Sequence, residues 1–257
     1  MIHPTAIIHP GAQLHESVRV GPYSVIDEHV TVGAGCELAP HVHLTGHTTI
    51  GAENRFHTGC VIGDAPQDLK YSSEPTRLII GDRNLFREHV TVHRSNTPGE
   101  DTRIGTENFF MANSHVGHNS IIGNKVILAN GVLIAGHAMI GDGAFIAGNA
   151  VVHQFCRVGT MAMMQGCAGV SLDLPPFTIV RGINGMCGLN SVGLKRAGFS
   201  AKERSQLKKA YHAIFLSDDL LKDALEKARG EFTGVLAEQL IDFVATSQRG
   251  TCSHTKR

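Results

Sequence analysis

The sequence predicts a mainly β protein, a parallel β-helix wound from six-residue repeats and closed at its C-terminal end by α-helices. Three observations carry that prediction. An apolar residue recurs at every sixth position through two thirds of the chain, two polar stretches interrupt the recurrence, and a helical period replaces it after Lys195. A period of six is a multiple of the strand period of two with turn residues inserted, and hexapeptide repeats are a signature of parallel β-helices.

The repeat runs first through Ile2, Ile8, Leu14, Val20, Ile26, Val32, Leu38, Leu44, Ile50, Phe56 and Ile62. It resumes briefly at Ile80, Phe86 and Val92. It then runs from Ile104 through Phe110, Val116, Ile122, Leu128, Ile134, Ile140, Ile146, Val152, Val158 and Met164 to Val170. With apolar residues at 42% of the chain, agreement at all of these positions is far outside chance. The fourth residue after each apolar one is small or β-branched, as at Val18, Ser24, Val30, Ala138, Ala144 and Ala150. One large and one small side chain per hexad suit a narrow triangular coil, the large one filling the core and the small one sitting where walls converge. Three hexads make a turn, so residues 18 apart stack, and each coil needs its neighbours to bury its face.

The segments 64–76 (DAPQDLKYSSEPT) and 94–101 (RSNTPGED) break the register. Their Pro, Ser, Gly and charge mark loops thrown out from the coil, and loops on a rigid solenoid are where function concentrates. The repeat fades near Pro175-Pro176. Ser200 and Glu203 form a capping box ahead of a helix carrying Leu207, Ala210, Tyr211, Ile214 and Phe215, and two more helices are expected near 218–229 and 234–247. The division is thus 1–190 for the β-helix and 191–257 for a helical segment that covers the open end of the coil.

Lys+Arg and Asp+Glu are equal at 23 each, which gives no reason to expect nucleic acid as a partner. The balance is uneven along the chain. In the last third Lys195, Arg196, Lys202, Arg204, Lys208 and Lys209 face only Glu203 between 195 and 212. Such a face suits an acidic partner; a solvated helix surface is the competing reading. The six cysteines form no CxxC pair, and the N-terminus has neither a basic n-region nor an apolar h-region. A cytoplasmic protein with free thiols and no membrane span is expected.

Of the 16 histidines, His3, His9 and His15 simply occupy the second hexad position. The informative group is His93, His115, His118, His137 and His153, which begins beside the second loop. No two histidines are five apart, which weighs against the HxxxxH arrangement of a γ-carbonic-anhydrase-type metal lyase; no metal or other cofactor is expected. General base catalysis is the other reading. Imidazole titrates near neutrality, so His118 can take a proton from an attacking hydroxyl, and Gly136, 18 residues on, can offer a backbone N–H to an oxyanion.

The motifs PQDLKY (66–71), SEPTR (73–77), TVHR (91–94), NSHVGH (113–118), IAGH (134–137), VHQFC (152–156), DLPPF (173–177) and GLKRAGFS (193–200) occur in this order. Together they resemble the UDP-N-acetylglucosamine O-acyltransferases that begin lipid A biosynthesis, over nearly the whole chain. The related N-acyltransferases carry an extra N-terminal domain, whereas here the repeat starts at residue 2. The resemblance implies a left-handed coil and a homotrimer with sites between subunits. It also implies an acyl carrier protein thioester, with a 3-hydroxyacyl chain, as donor and the glucosamine 3-hydroxyl of UDP-N-acetylglucosamine as acceptor. It makes His118 the base and Gly136 the oxyanion donor. Asp68 and Lys70 are similar to residues that hold the sugar. His115, His137, His153 and Gln154 resemble sugar and pyrophosphate contacts, and Asn190 and Arg196 resemble nucleotide phosphate contacts. His93 matches a further binding position, and Gly166, with Met163 nearby, falls where acyl length is measured. The basic face of Lys195, Arg196, Arg204, Lys208 and Lys209 is expected to receive the carrier protein.

Two positions depart from the pattern. Asn119 stands where an Asp commonly follows the catalytic His, so the base is expected to lack a charged partner. Ala197 stands where a second Arg is often found. Asn119 fits an acceptor that needs less help, a 3-amino analogue of the sugar giving an amide product; neutral drift is the competing reading.

Overall fold

The computed structural model describes residues 1–255. Three parallel sheets of 9, 8 and 11 strands form the walls of a triangular coil, and every third strand in sequence joins the same wall. The first wall starts at Ile7–Ile8, the second at Gln13–Leu14 and the third at Arg19–Val20. Most strands are two residues long. In each, one residue points out and the next points in, so the second carries the buried apolar side chain, as in Val25–Ile26 and Ile127–Leu128. Pairing joins Ile7 to Val25 and Ile121 to Met139, the expected 18-residue offset.

The two loops change that offset by whole hexads. Across the first, Arg77 pairs with His47, and across the second, Arg77 pairs with Asp101. The loops occupy 65–76 and 94–100, within a residue of the expected bounds. Because the extra lengths are multiples of six, inward residues stay inward. Phe56, Phe86 and Phe110 therefore stack in successive coils with centroids 4.8 and 4.7 Å apart. Asn54, Asn84 and Asn108 form a buried ladder beside them, in which Asn84 Nδ2 donates to Asn54 Oδ1 at 2.9 Å. At the corners many residues adopt a left-handed backbone conformation, including Asn113, Asn119 and His137; Asn and His tolerate it better than most side chains.

The coil ends in an antiparallel hairpin, Thr178–Arg181 with Gly185–Leu189. Helices α1 (Ser191–Arg196), α2 (Ala201–Phe215), α3 (Leu221–Glu231) and α4 (Val235–Ala245) follow. The capping box at Ser200 and Glu203 is present. The sequence led us to expect a helical segment over 191–257, but Ser253–His254 returns as a strand to pair with Gly185–Leu189. Arg157 ties the cap to the second wall. Its Nε donates to buried Asp173 at 2.8 Å, its Nη2 donates to the Phe243 carbonyl at 2.9 Å, and its guanidinium lies 4.3 Å from the Phe243 ring centroid. The six cysteines are free; burial pushes the thiols of Cys60 and Cys252 up to about 12, which keeps them protonated and inert. No described helix is long and apolar enough to cross a membrane.

Candidate active site

Outward-facing residues of the first wall stack in a row. Thr91 pairs with His115, His115 with Leu133, Leu133 with Val151, and Val151 with Gly169. The row is polar at one end and apolar at the other. A cleft of about 850 Å³ runs along it, with His93, His115, His118 and Gly136 at the polar end and Val151, Gly169 and Ile183 at the apolar end. His153 and Gln154 line the same cleft, as do Gln67, Thr91 and Asn113, which the sequence did not single out.

His118 sits on the corner after the first wall, and Asn119 follows it in a left-handed conformation (φ 58°). Asn119 is 7% exposed, and its backbone N–H and both ends of its side-chain amide are hydrogen-bonded. Its backbone N–H donates to Thr102 Oγ1 at 2.8 Å. Its Nδ2 donates to Ser95 Oγ at 2.9 Å and to Glu100 Oε2 at 2.6 Å. Its Oδ1 accepts from the Asn96 backbone N–H at 3.0 Å and from His118 Nδ1 at 2.9 Å. A backbone N–H can only donate and a carboxylate can only accept, so the amide has one orientation. That orientation puts the ring proton of His118 on Nδ1 and leaves Nε2 with a free lone pair, the form a general base needs.

Gly136 lies one coil away against this ring. A Cβ on Gly136 would fall 2.8 Å from both His118 Nε2 and Cε1. The Gly136 N–H has no acceptor among the described residues. His118 Nε2 and the Gly136 N–H, which the sequence reading paired, thus lie side by side.

His93, His115 and His137 gather around His118. The His137 ring meets His118 edge-on at 5.2 Å and stacks on Phe155 at 4.6 Å. His93 meets His115 edge-on at 4.9 Å, and His115 Nδ1 shares a 2.8 Å hydrogen bond with Thr91 Oγ1. Burial, reinforced by neighbouring imidazoles, lowers His115 to about 4. Burial likewise lowers His93 and His137. These shifts favour the neutral rings around His118, which present hydrogen-bonding edges to the cleft. His93 Nδ1 is buried without a partner among the described residues.

Asp68, in the first loop, accepts from the Lys70 backbone N–H at 3.0 Å and from Asn96 Nδ2 at 2.7 Å. Those bonds hold its carboxyl below the ordinary range. Asn96 thus links both loops to the corner, its side chain on Asp68 and its backbone on Asn119. Lys70 is exposed in the same loop.

Four expected residues lie elsewhere in this chain. Asn190 caps α1, accepting from the Gly193 N–H at 3.0 Å and donating to the Met161 carbonyl at 3.0 Å. Arg196 borders a surface groove with Val192, Lys195 and Arg204. Met163 projects from the third wall and Gly166 is exposed in the turn that follows, so neither lines the cleft. The cleft's apolar end is instead set by Gly169, whose missing Cβ would meet Ile183 Cδ1 at 2.9 Å. Glu100 and Asn96 were missed as individual residues. Their signal was only that a polar loop stood beside the histidine group.

Comparison with known proteins agrees with this architecture. Residues 11–46 and 101–136 match the bacterial transferase hexapeptide (six repeats) family, and residues 173–252 match the family described as UDP-N-acetylglucosamine O-acyltransferase, domain 2. An acyl-[acyl-carrier-protein]–UDP-N-acetylglucosamine O-acyltransferase of Myxococcus xanthus is 44% identical over 252 residues, covering 97% of this chain and 98% of that protein. One from Syntrophobacter fumaroxidans is 43% identical over 253 residues, with the same coverage. Among solved structures, a UDP-N-acetylglucosamine acyltransferase of Bacteroides fragilis superposes with a TM-score of 0.94 at 38% identity, covering 98% of this chain and 99% of that one. The enzyme of Francisella novicida gives 0.94 at 35% identity, covering 100% and 95%.

Proposed function

The chain belongs to the acyl-[acyl-carrier-protein]–UDP-N-acetylglucosamine O-acyltransferase family, and from that premise we propose how its own residues carry the reaction. It moves a 3-hydroxyacyl group from the thioester of acyl carrier protein to the glucosamine 3-hydroxyl of UDP-N-acetylglucosamine, the first step of lipid A biosynthesis. The observation that carries this reading is the fixed tautomer of His118, with Nε2 free beside Gly136.

His118 Nε2 takes the proton of the sugar hydroxyl as its oxygen attacks the thioester carbonyl. The tetrahedral oxyanion is held by the Gly136 N–H. Collapse breaks the C–S bond, and the imidazolium returns its proton to the departing thiolate, giving an ester and a free carrier thiol. His93, His115, His137, His153, Gln154, Asp68 and Lys70 hold the sugar nucleotide around the base. The apolar row from Leu133 through Val151 to Gly169, ending at Ile183, accepts the acyl chain.

Asn190, Arg196, Gly166 and Met163 enter this reading across a subunit seam, in a homotrimer. Exposed Ile121 and Met139, stacked on the second wall, support such a seam. The curated relatives are named as O-acyltransferases, which favours the ester over the amide suggested by Asn119.

His118→Ala is expected to leave a folded trimer by light scattering, with activity lower by roughly three orders of magnitude. Retained activity would refute the assignment. Mass spectrometry of products from a mixed acyl-carrier pool with both sugar nucleotides reads acyl length and ester against amide together.

A further inference from the structure

We propose that Glu100 is a positioning residue for His118 and supplies, through Asn119, the negative charge that Asn119 itself lacks. The proposal rests on His118 being the base. Glu100 Oε2 accepts from Asn119 Nδ2 at 2.6 Å, and Asn119 Oδ1 accepts from His118 Nδ1 at 2.9 Å. The chain of groups is carboxylate, amide, imidazole. Each member polarises the next, because hydrogen bonds in series strengthen one another.

The amide is a conductor of orientation as well as of charge. Ser95 Oγ gives its own hydrogen to the Thr97 carbonyl at 3.1 Å and accepts from Asn119 Nδ2, but it brings no charge to the amide. The Glu100 carboxylate can only accept. Together with the Asn96 N–H on the other end, it holds Nδ2 away from His118 and Oδ1 toward it. When His118 becomes an imidazolium in the transition state, the strengthened Nδ1–H bond is stabilised by a charge one amide away.

Other charged or titratable groups face the base. Asp68 lies in the first loop, His93 and His115 lie on the first wall, and His137 lies on the next corner. Asp68 is bonded to Asn96 and not to Asn119, and the three histidines are shifted toward the neutral form. Glu100 is thus the carboxylate bonded directly to the amide that meets His118 Nδ1.

Glu100→Gln keeps an acceptor for Asn119 and removes only the charge. It is expected to lower kcat roughly ten-fold with KM for the sugar nucleotide unchanged. It is also expected to move the acid limb of the pH–rate profile to lower pH, because the imidazolium loses its distant partner. Adding Asn119→Asp to Glu100→Gln reverses the polarity of the contact. A carboxylate at 119 then accepts the His118 Nδ1–H hydrogen bond directly and accepts another from the new amide at 100, so kcat and the acid limb are expected to return toward the starting enzyme.

A Glu100→Gln enzyme with unaltered kcat and pH profile overturns the proposal. So does a double variant no better than Glu100→Gln alone. His118→Ala in the same assay separates the two levels. If it is inactive while Glu100→Gln behaves normally, only the role of Glu100 falls; if it stays active, the base itself is misassigned.

Discussion

Asn119 answers to two demands at once. Its corner requires a left-handed backbone conformation, which Asn tolerates well, and its side chain must present an oxygen to His118 Nδ1. An Asp would meet both, yet beside Glu100 at 2.6 Å it would place two carboxylates in contact. The departure from the usual Asp is therefore matched by an acid one loop away. This weakens the link between Asn119 and a different acceptor. Gly136 is constrained from the other side. Its backbone conformation is ordinary, so Gly136→Ala acts only through the Cβ, 2.8 Å from His118 Nε2. A displaced ring loses its alignment with the reacting hydroxyl. Activity is expected to drop on the order of 100-fold with little change in thermal midpoint. Near-normal kcat in steady-state assays would place the base elsewhere.

At the scale of elements, the loops work because their lengths preserve the hexad. The pairs Arg77 with His47 and Arg77 with Asp101 differ from the 18-residue step by whole repeats, so the Phe56, Phe86 and Phe110 stack passes both insertions intact. The loops can then carry Asp68, Asn96 and Glu100 to the corner at no cost to the core. Helix α2 carries the basic face for which carrier-protein docking is the expectation. Its basic residues Arg204 and Lys208 border a groove with Tyr211 and His254. Charge complementarity acts mainly on encounter with an acidic partner. The pair Arg204→Glu and Lys208→Glu is expected to raise KM for the carrier-bound donor about ten-fold or more, while a small-molecule thioester donor is used as before. Equal effects on both donors would count against the docking role.

The whole molecule should register the crowded histidines as acid sensitivity. His115 is held at about 4 against an ordinary 6.5, so the unfolded chain binds its proton more readily than the folded one. The contribution is complete above pH 6.5. It is lost as pH falls toward 4, by up to roughly 3 kcal/mol for this group. His93 and His137 are shifted in the same direction and add to the slope. Urea midpoints measured between pH 7.5 and 4.5 are expected to fall. His115→Gln, which cannot be protonated, should flatten part of that fall, and an identical slope in the variant would remove His115 as its cause.

The linear sequence by itself determined the scaffold. A hexad period is a local, repeated constraint, so each copy restates which side chain points inward and the coil follows without long-range information. It also marked the two loops, the capping box of α2 and the group of histidines, because these too are patterns of near neighbours. Only the tertiary structure decided the hydrogen bonding around His118. Glu100, Asn96 and Asn119 meet through bonds that cross 19 and 23 residues of chain from an irregular loop with no period to extrapolate. The same holds for the final strand, Ser253–His254, which pairs across the helical cap with Gly185–Leu189. Contacts of this kind depend on how a loop closes over a finished wall. The wall must exist before the contact has a geometry.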